Sequence, residues 1–390
     1  MPPITYRNGG LGLTVAPGGG GNALQTAANA LSANQWTKFD TGNTSWANSQ
    51  IMEPPGGTQL GYSVAEFANN ASWDHVNHRM MFFGGNHQNA GATIYWNGFL
   101  KYDAGTDTWT NTIGNTGEIG QNVELHAYNQ NTTDDAGVHY FLQYASSVIY
   151  YTSDYGATWS NMDSGAGNLA WGTAGQSGQA LVWFPDRGSL LRIDGDYGIS
   201  EWIKNTNTWS YIANTNNTQS AYPGVPNCTF ESHYSNWACY NPDQQAVYFG
   251  GTNAMWKMDK LGNFTSKTAS PNKIYIDGTC LVASHPTTGA NKLVSLVGGT
   301  GQTTNNGLAY SIMTYDCVGN SWSTAGAGTT GTNSGTGAPP LMGINGQGQN
   351  SLFDCLICPI FEYGVLMFPR FDYTGIGTTY DGSVYLWKPA

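Results

Sequence analysis

Apolar residues along this chain come in short runs, and each run is closed by a cluster of Gly, Pro, Asn or Asp: MMFFGG (80–85), HYFLQY (139–144), SLLRIDG (189–195), AVYFGG (246–251) and KLVSLVGG (292–299). Runs of this length with turn formers at both ends predict β-strands. An aromatic, a tight polar turn and a second aromatic follow each run, in KYDAGTDTWT (101–110), YTSDYGATW (151–159), WIKNTNTW (202–209), WKMDKLGNF (256–264) and YDCVGNSW (315–322). Ahead of most runs stands another strand-like stretch ending in an Asp or Pro turn, as in SWDHVNHR, WFPDRG, YNPDQQ and SHPTTG. The unit is four antiparallel strands in about 40 to 50 residues, the size of one propeller blade.

A sixth unit, SLFDCLICPIFEYG, VLMFPR and GSVYLWKPA, lacks its fourth strand, while ANQWTKFDTG (33–42) has a Trp-Thr pair and no partner strand before it. Pairing the two closes a ring. The expected fold is therefore all-β, a six-bladed β-propeller over residues 33–390 whose last blade is completed by the strand around Trp36, since a closed ring leaves no free sheet edge. Residues 1–32 form an N-terminal extension expected to dock on a partner, with a short helical turn at NALQTAANAL, and a Gly-rich insertion spans 324–349.

Composition supports this reading. The 390 residues include 52 Gly, 14 Trp and 23 Tyr with only 10% charged residues, which favours strands and turns over helices. The net charge of -11 repels a phosphate backbone and argues against nucleic acid as a partner. No apolar stretch is long enough for a membrane helix, and MPPITYRNGGLGLTVAPGGGG lacks the pattern of a signal peptide. Six cysteines are too few for a disulfide scaffold in so long a chain. The Cys355/Cys358 pair has no second CxxC to complete a zinc site, so the thiols are expected to be small buried side chains.

The order of diglycine, Tyr and Trp in MMFFGGNHQNAGATIYWNGFLKYDAGTDTWT resembles the kelch repeat. YTSDYGATW resembles the Asp-box, with Thr152, Asp154, Gly156, Thr158 and Trp159 in its pattern. SWDHVNHRMMFFGGNHQN, LKYDAGTDTW, LHAYNQNTTDDAGVHYF and the lead-in NALQTAANALSANQW are similar to kelch-type propeller proteins of tailed phages. That resemblance implies a virion-surface component, a fibre, decoration or receptor-binding domain, which meets other virion proteins through residues 1–32 and leaves the cell by lysis.

In a propeller, the loops from second to third strands and those between blades share one face. On that face the repeat places Glu66, Asn86, Gln88, Asp194, Asp196, Glu231, Asn253 and Asp277 as ligand-binding candidates. Mixed polar and aromatic groups of this kind suit sugar hydroxyls and rings, so a glycan or host-surface polysaccharide is the expected partner. The alternative is a polysaccharide lyase moving a proton through His and Tyr, with His87, His126, Tyr128, Tyr144, His233 and Arg370 as candidates. A sialidase is disfavoured, because only Arg7, Arg79, Arg187, Arg192 and Arg370 are present and few of them face the axis. No cofactor is predicted; a divalent metal between axial histidines stays open. His75 and His78 are read as solvent-exposed turn residues, His285 as structural, and Trp109, Trp159, Trp209 and Trp322 as packing between blades.

Overall fold

The structure, a computed structural model, describes residues 22–39, 65, 68–85, 97–113, 127, 129–143, 148–162, 179–195, 198–215, 224–230, 236–251, 254–270, 280–298, 310–324, 343–344, 350–351, 354–371 and 383–390. Five four-stranded antiparallel sheets follow one another in chain order. Blade one comprises Ser72–Asp74, Arg79–Gly85, Asn97–Asp103 and Thr108–Ile113, and blade two Asn131–Thr133, His139–Leu142, Ile149–Thr152 and Ser160–Met162. Blade three comprises Ala180–Phe184, Ser189–Asp194, Gly198–Ile203 and Thr208–Ala213, and blade four Trp237–Asn241, Ala246–Gly250, Met255–Asp259 and Phe264–Lys267. Blade five comprises Cys280–Ser284, Lys292–Gly298, Tyr310–Asp316 and Ser321–Thr324. Blade six takes Asp354–Ile360, Val365–Arg370 and Ser383–Lys388 from the end of the chain and Gln35–Lys38 from its beginning. First strands stand side by side around the axis, in a six-bladed propeller.

Ring closure follows the expected strand pairing. Trp36 lies opposite Trp387 and Lys38 opposite Tyr385. The indole of Trp36 stacks on Trp387 at 5.2 Å and 9° and leans on Phe368 at 5.2 Å. A second tie joins blade six to the lead-in of blade one at the axis. Ala68–Asn70 runs parallel to Asp354–Ile360, and Ala71 N–H donates to the Ile357 carbonyl at 3.0 Å, before the chain enters blade one. The extension also contributes. Asn22 caps the helix Ala23–Ala30 by accepting Gln25 N–H at 2.7 Å and donates to the Tyr363 hydroxyl at 3.0 Å. Leu24 and Ala28 of this helix are buried in the core shared by blades six, one and two. Residues 22–32 therefore lie against the propeller itself.

The repeated turn shows why its sequence recurs. In KYDAGTDTWT, Asp103 Oδ1 accepts the N–H groups of Gly105 and Thr106 at 2.8 and 3.2 Å. Asp107 takes the left-handed conformation at φ 53° and accepts the Tyr102 hydroxyl at 2.8 Å. The turn thus sets Trp109 opposite Tyr102. Asn207 at φ 50° accepts Trp202 Nε1–H at 3.0 Å, and Asn320 at φ 53° accepts the Tyr315 hydroxyl at 2.5 Å, which sets Trp209 and Trp322 in the same way. Asn and Asp tolerate this backbone region and supply the acceptor that an aromatic hydroxyl or indole N–H needs when it is buried.

The tryptophans pack as expected between blades. Trp109 and Trp159 are buried, while Trp209 and Trp322 are half-buried against the seams of blades two with three and four with five. In the Thr152–Trp159 turn, Thr152 Oγ1 accepts Gly156 N–H at 2.8 Å and Asp154 accepts Thr158 N–H and Oγ1–H at 2.9 and 2.6 Å. Trp159 then meets Phe83 and Phe99 edge-on, each at 5.1 Å. Cys355 and Cys358 enter different cores, because residues three apart on a strand point to opposite faces. Among the described residues no helix is long and apolar enough to cross a membrane.

One of the two turn histidines departs from expectation: His75 is half-buried, whereas His78 is exposed as expected and bonds through Nδ1 to Glu362 Oε1 at 2.8 Å. The His78 bond follows from ring closure, which brings the first turn of blade six, with Phe361 and Glu362, beside that of blade one.

Candidate functional site

The axis has two ends. At the end where first strands begin and second strands finish, the structure describes two of the sequence candidates. Asp194 closes the second strand of blade three opposite Gly198; it is buried and accepts Gln179 Nε2–H at 2.8 Å. Arg370 closes the second strand of blade six opposite Ser383 and is also buried. Glu66, Asn86, His87, Gln88, His126, Tyr128, Tyr144, Asp196, Glu231, His233, Asn253 and Asp277 lie outside the described residues. Buried amides gather at the described floor of this face, Asn129, Gln130, Gln179 and Asn236. Asn129 Oδ1 accepts Ala238 N–H at 3.0 Å, joining blades two and four. Gln179 Oε1 and Asn236 Oδ1 have no donor among the described residues. Burial lowers the Arg192 guanidinium to about 10, against the opposing pull of Asp194.

At the opposite end a cavity of about 220 Å³ opens between the turns that join first to second strands. All six blades line it, each with the last residues of its first strand. Trp73, Trp183, Tyr240 and Phe361 supply aromatic walls, Pro185, Pro242 and Pro359 stiffen them, and His75, Asp135 and Glu362 supply titratable groups. The walls are locked from behind. Asn131 pairs through its amide with both N–H and C=O of Phe83 at 2.8 and 3.1 Å, and Thr132 Oγ1 accepts Trp183 N–H at 3.0 Å. Ser284 Oγ donates to the Tyr240 carbonyl at 2.5 Å, and the Tyr240 hydroxyl donates to Asp186 Oδ2 at 2.5 Å.

Charge at this mouth is unevenly shared. Glu362 is occupied, since Oε1 accepts Trp73 Nε1–H at 3.0 Å and meets His78. Burial raises the Asp135 carboxyl above its ordinary range, against the opposing pull of Trp183 and His75. His139, just behind the wall, is fully buried beside Ser72, Asn131 and Thr133, and burial lowers its pKa to about 3, so it is a neutral structural imidazole. Likewise His285 is buried, accepts Thr287 N–H at 3.2 Å through Nδ1 and faces the Ala390 carbonyl at 3.2 Å through Nε2.

This end can bind through aromatic faces and hydrogen-bond acceptors. Glu362 Oε1 is already bonded to Trp73 and His78, which leaves Asp135 as the less engaged of the two carboxylates at this mouth. Among the described residues no three His, Cys, Asp or Glu side chains form a metal-ligating group. From sequence these stretches read only as turns. The available signal is an aromatic or acid at the junction of first strand and turn, in SWDH, TTDD, VWFP, CYNP and IFE.

No family model and no curated protein matches the chain. Among solved structures it is similar to a protein described as a putative TolB of Agrobacterium tumefaciens, at 13% identity and TM-score 0.40 over 75% of this chain and 90% of that one. It is also similar to YCF48 of Cyanidioschyzon merolae, at 9% identity and TM-score 0.44 over 90% and 98%, and to a GH74 enzyme of Niastella koreensis, at 12% identity and TM-score 0.40 over 82% and 36%. Such distant likenesses carry no information on ligand or activity. The six-bladed propeller rests on its own sheet order and closure.

Proposed function

We propose that this protein is a non-enzymatic, glycan-contacting propeller of a virion surface, with kelch-like blades and an Asp-box turn at Thr152–Trp159. Its glycan ligand sits on the face where the second-to-third strand loops meet, and residues 1–32 meet other virion proteins. The observation that carries the glycan part is the floor of that face, where the buried Gln179 Oε1 and Asn236 Oδ1 find no donor among the described residues. A floor lined by amides presents the paired donor and acceptor groups that sugar hydroxyls use. The virion part rests on the sequence resemblance.

Titration of the purified protein against a panel of host-surface polysaccharides tests the reading. A saturable signal that falls about tenfold in Gln179→Leu and Asn236→Leu is expected. Absence of binding across the panel would overturn the glycan part, and release of an unsaturated, ultraviolet-absorbing product would move the protein to the lyases. Failure to find the chain in purified particles would overturn the virion part.

A further inference from the structure

The axial cavity opens at the opposite end from the proposed glycan face and reaches inward as far as Asn129; what its mouth takes is a separate question. Among the described residues its walls include two carboxylates, Asp135 and Glu362, and neither Lys nor Arg. Four aromatic side chains, Trp73, Trp183, Tyr240 and Phe361, stand around the same space. Asn70, also on the wall, donates through Nδ2 to the Asn131 carbonyl at 2.9 Å. The space is therefore bordered by negative charge and aromatic residues.

We infer that this cavity binds a small organic cation, a primary or methylated ammonium group, held among the aromatic walls with Asp135 as its counter-charge. An ammonium satisfies both features: it is attracted to aromatic rings within about 6 Å and it neutralises a carboxylate. Anionic ligands meet two carboxylates and, among the described wall residues, no fixed cation. A neutral sugar answers the acceptors and leaves the charge of Asp135 uncompensated. The volume, about 220 Å³, is below the usual range of about 300–1,000 Å³ for drug-sized ligands, so it suits a single head group. Lys204 gives a local precedent, its ammonium lying 5.8 Å from the Trp183 ring while paired with Asp134 at 2.5 Å, outside the cavity wall. The chain's net charge of -11 raises the local concentration of cations around it.

Calorimetric titration at low ionic strength with choline, butylammonium and 3,3-dimethyl-1-butanol, the uncharged isostere of choline, tests the inference. Choline and butylammonium are expected to bind with millimolar or tighter affinity, and choline about tenfold tighter than the isostere. Asp135→Asn is expected to weaken choline about tenfold, and Phe361→Leu several-fold, with far-UV circular dichroism and melting curves confirming that both variants are folded. Equal affinity for choline and its isostere overturns the assignment, as does an undiminished response in folded Asp135→Asn. No heat with either cation up to about 100 mM overturns it as well. Because none of these ligands is a sugar, the outcome is independent of the glycan reading. Binding of glucose in the cavity, competed by the isostere and indifferent to Asp135→Asn, would instead leave the glycan reading standing and remove this one.

Discussion

Gly156 offers a measurement in which two energetic contributions separate. Its backbone sits at φ +83°, and a Cβ built there would lie 2.5 Å from Phe99 Cδ1 and 2.9 Å from Cε1. Phe99 cannot withdraw, since it is buried and meets the Trp159 ring edge-on at 5.1 Å across the seam of blades one and two. Gly156→Ala thus adds backbone strain of about 1–2 kcal/mol and overpacking of about 1–3 kcal/mol, together about 2–5 kcal/mol. Gly188 supplies the reference: it ends the turn Pro185–Arg187 at φ +57° with nothing within 4 Å of where an added methyl would stand, so Gly188→Ala carries only the backbone part, about 1–2 kcal/mol. Urea denaturation followed by circular dichroism, with m held constant, measures both variants. Equal losses would refute the claim that Phe99 is pinned by Trp159. A smaller loss at Gly156 than at Gly188 would refute the turn geometry itself.

Other outcomes follow from closure and from the buried titratable groups. Trp36→Ala removes stacking on Trp387 and the Phe368 contact from a half-buried position, and should destabilise by about 2 kcal/mol in denaturant and increase aggregation by baring the edge of Ser383–Lys388; an unchanged midpoint would count against the closing strand. His139, held near 3 by burial against an ordinary value of 6.5, binds its proton in the unfolded chain first, so its contribution is complete above 6.5 and is lost as pH falls toward 3. Melting temperature against pH should show that slope in the parent protein and a shallower one in His139→Gln. Asp135 has the opposite dependence: its raised carboxyl contributes fully below the ordinary carboxylate value and the contribution is lost as pH rises through the folded value. Asp135→Asn should therefore melt higher than the parent at neutral pH, the difference fading in acid; a lower melting point at neutral pH would show that the carboxylate is stabilised by partners.

Local chemistry explains which parts of this molecule are legible in its sequence. The phrase around Trp109 is legible because one turn needs an acceptor in the left-handed region at Asp107, Asn207 or Asn320 and an aromatic to set against it, so the constraint is written within ten residues. Trp36 stands out as an orphan for the same reason. The axial cavity is not legible, because each blade gives it only a few residues of its first strand and the turn after it, and Trp73 or Trp183 reads alone as ordinary core. Only the closed ring sums Asp135 from blade two with Phe361 from blade six. Glu362 is similarly hidden: its role in fixing Trp73 and His78 depends on a neighbour that sequence distance conceals. At the loop face, Asp194 and Arg370 follow from their place at the end of the second strand, and the structure puts both there as buried side chains, Asp194 bonded to Gln179.

The pairing of Trp36 with Trp387 also dictates an order of events during synthesis. Gln35–Lys38 leaves the ribosome early and must wait, its partner untranslated, until Ser383–Lys388 emerges. Blades one to five can form as they appear, each from contiguous chain, whereas blade six and the axial tie at Ala68–Asn70 can form only at the end. A nascent chain stalled before residue 383 would be an open arc with an unclaimed strand at its start, the stage at which a chaperone or a neighbouring nascent copy would compete for that strand.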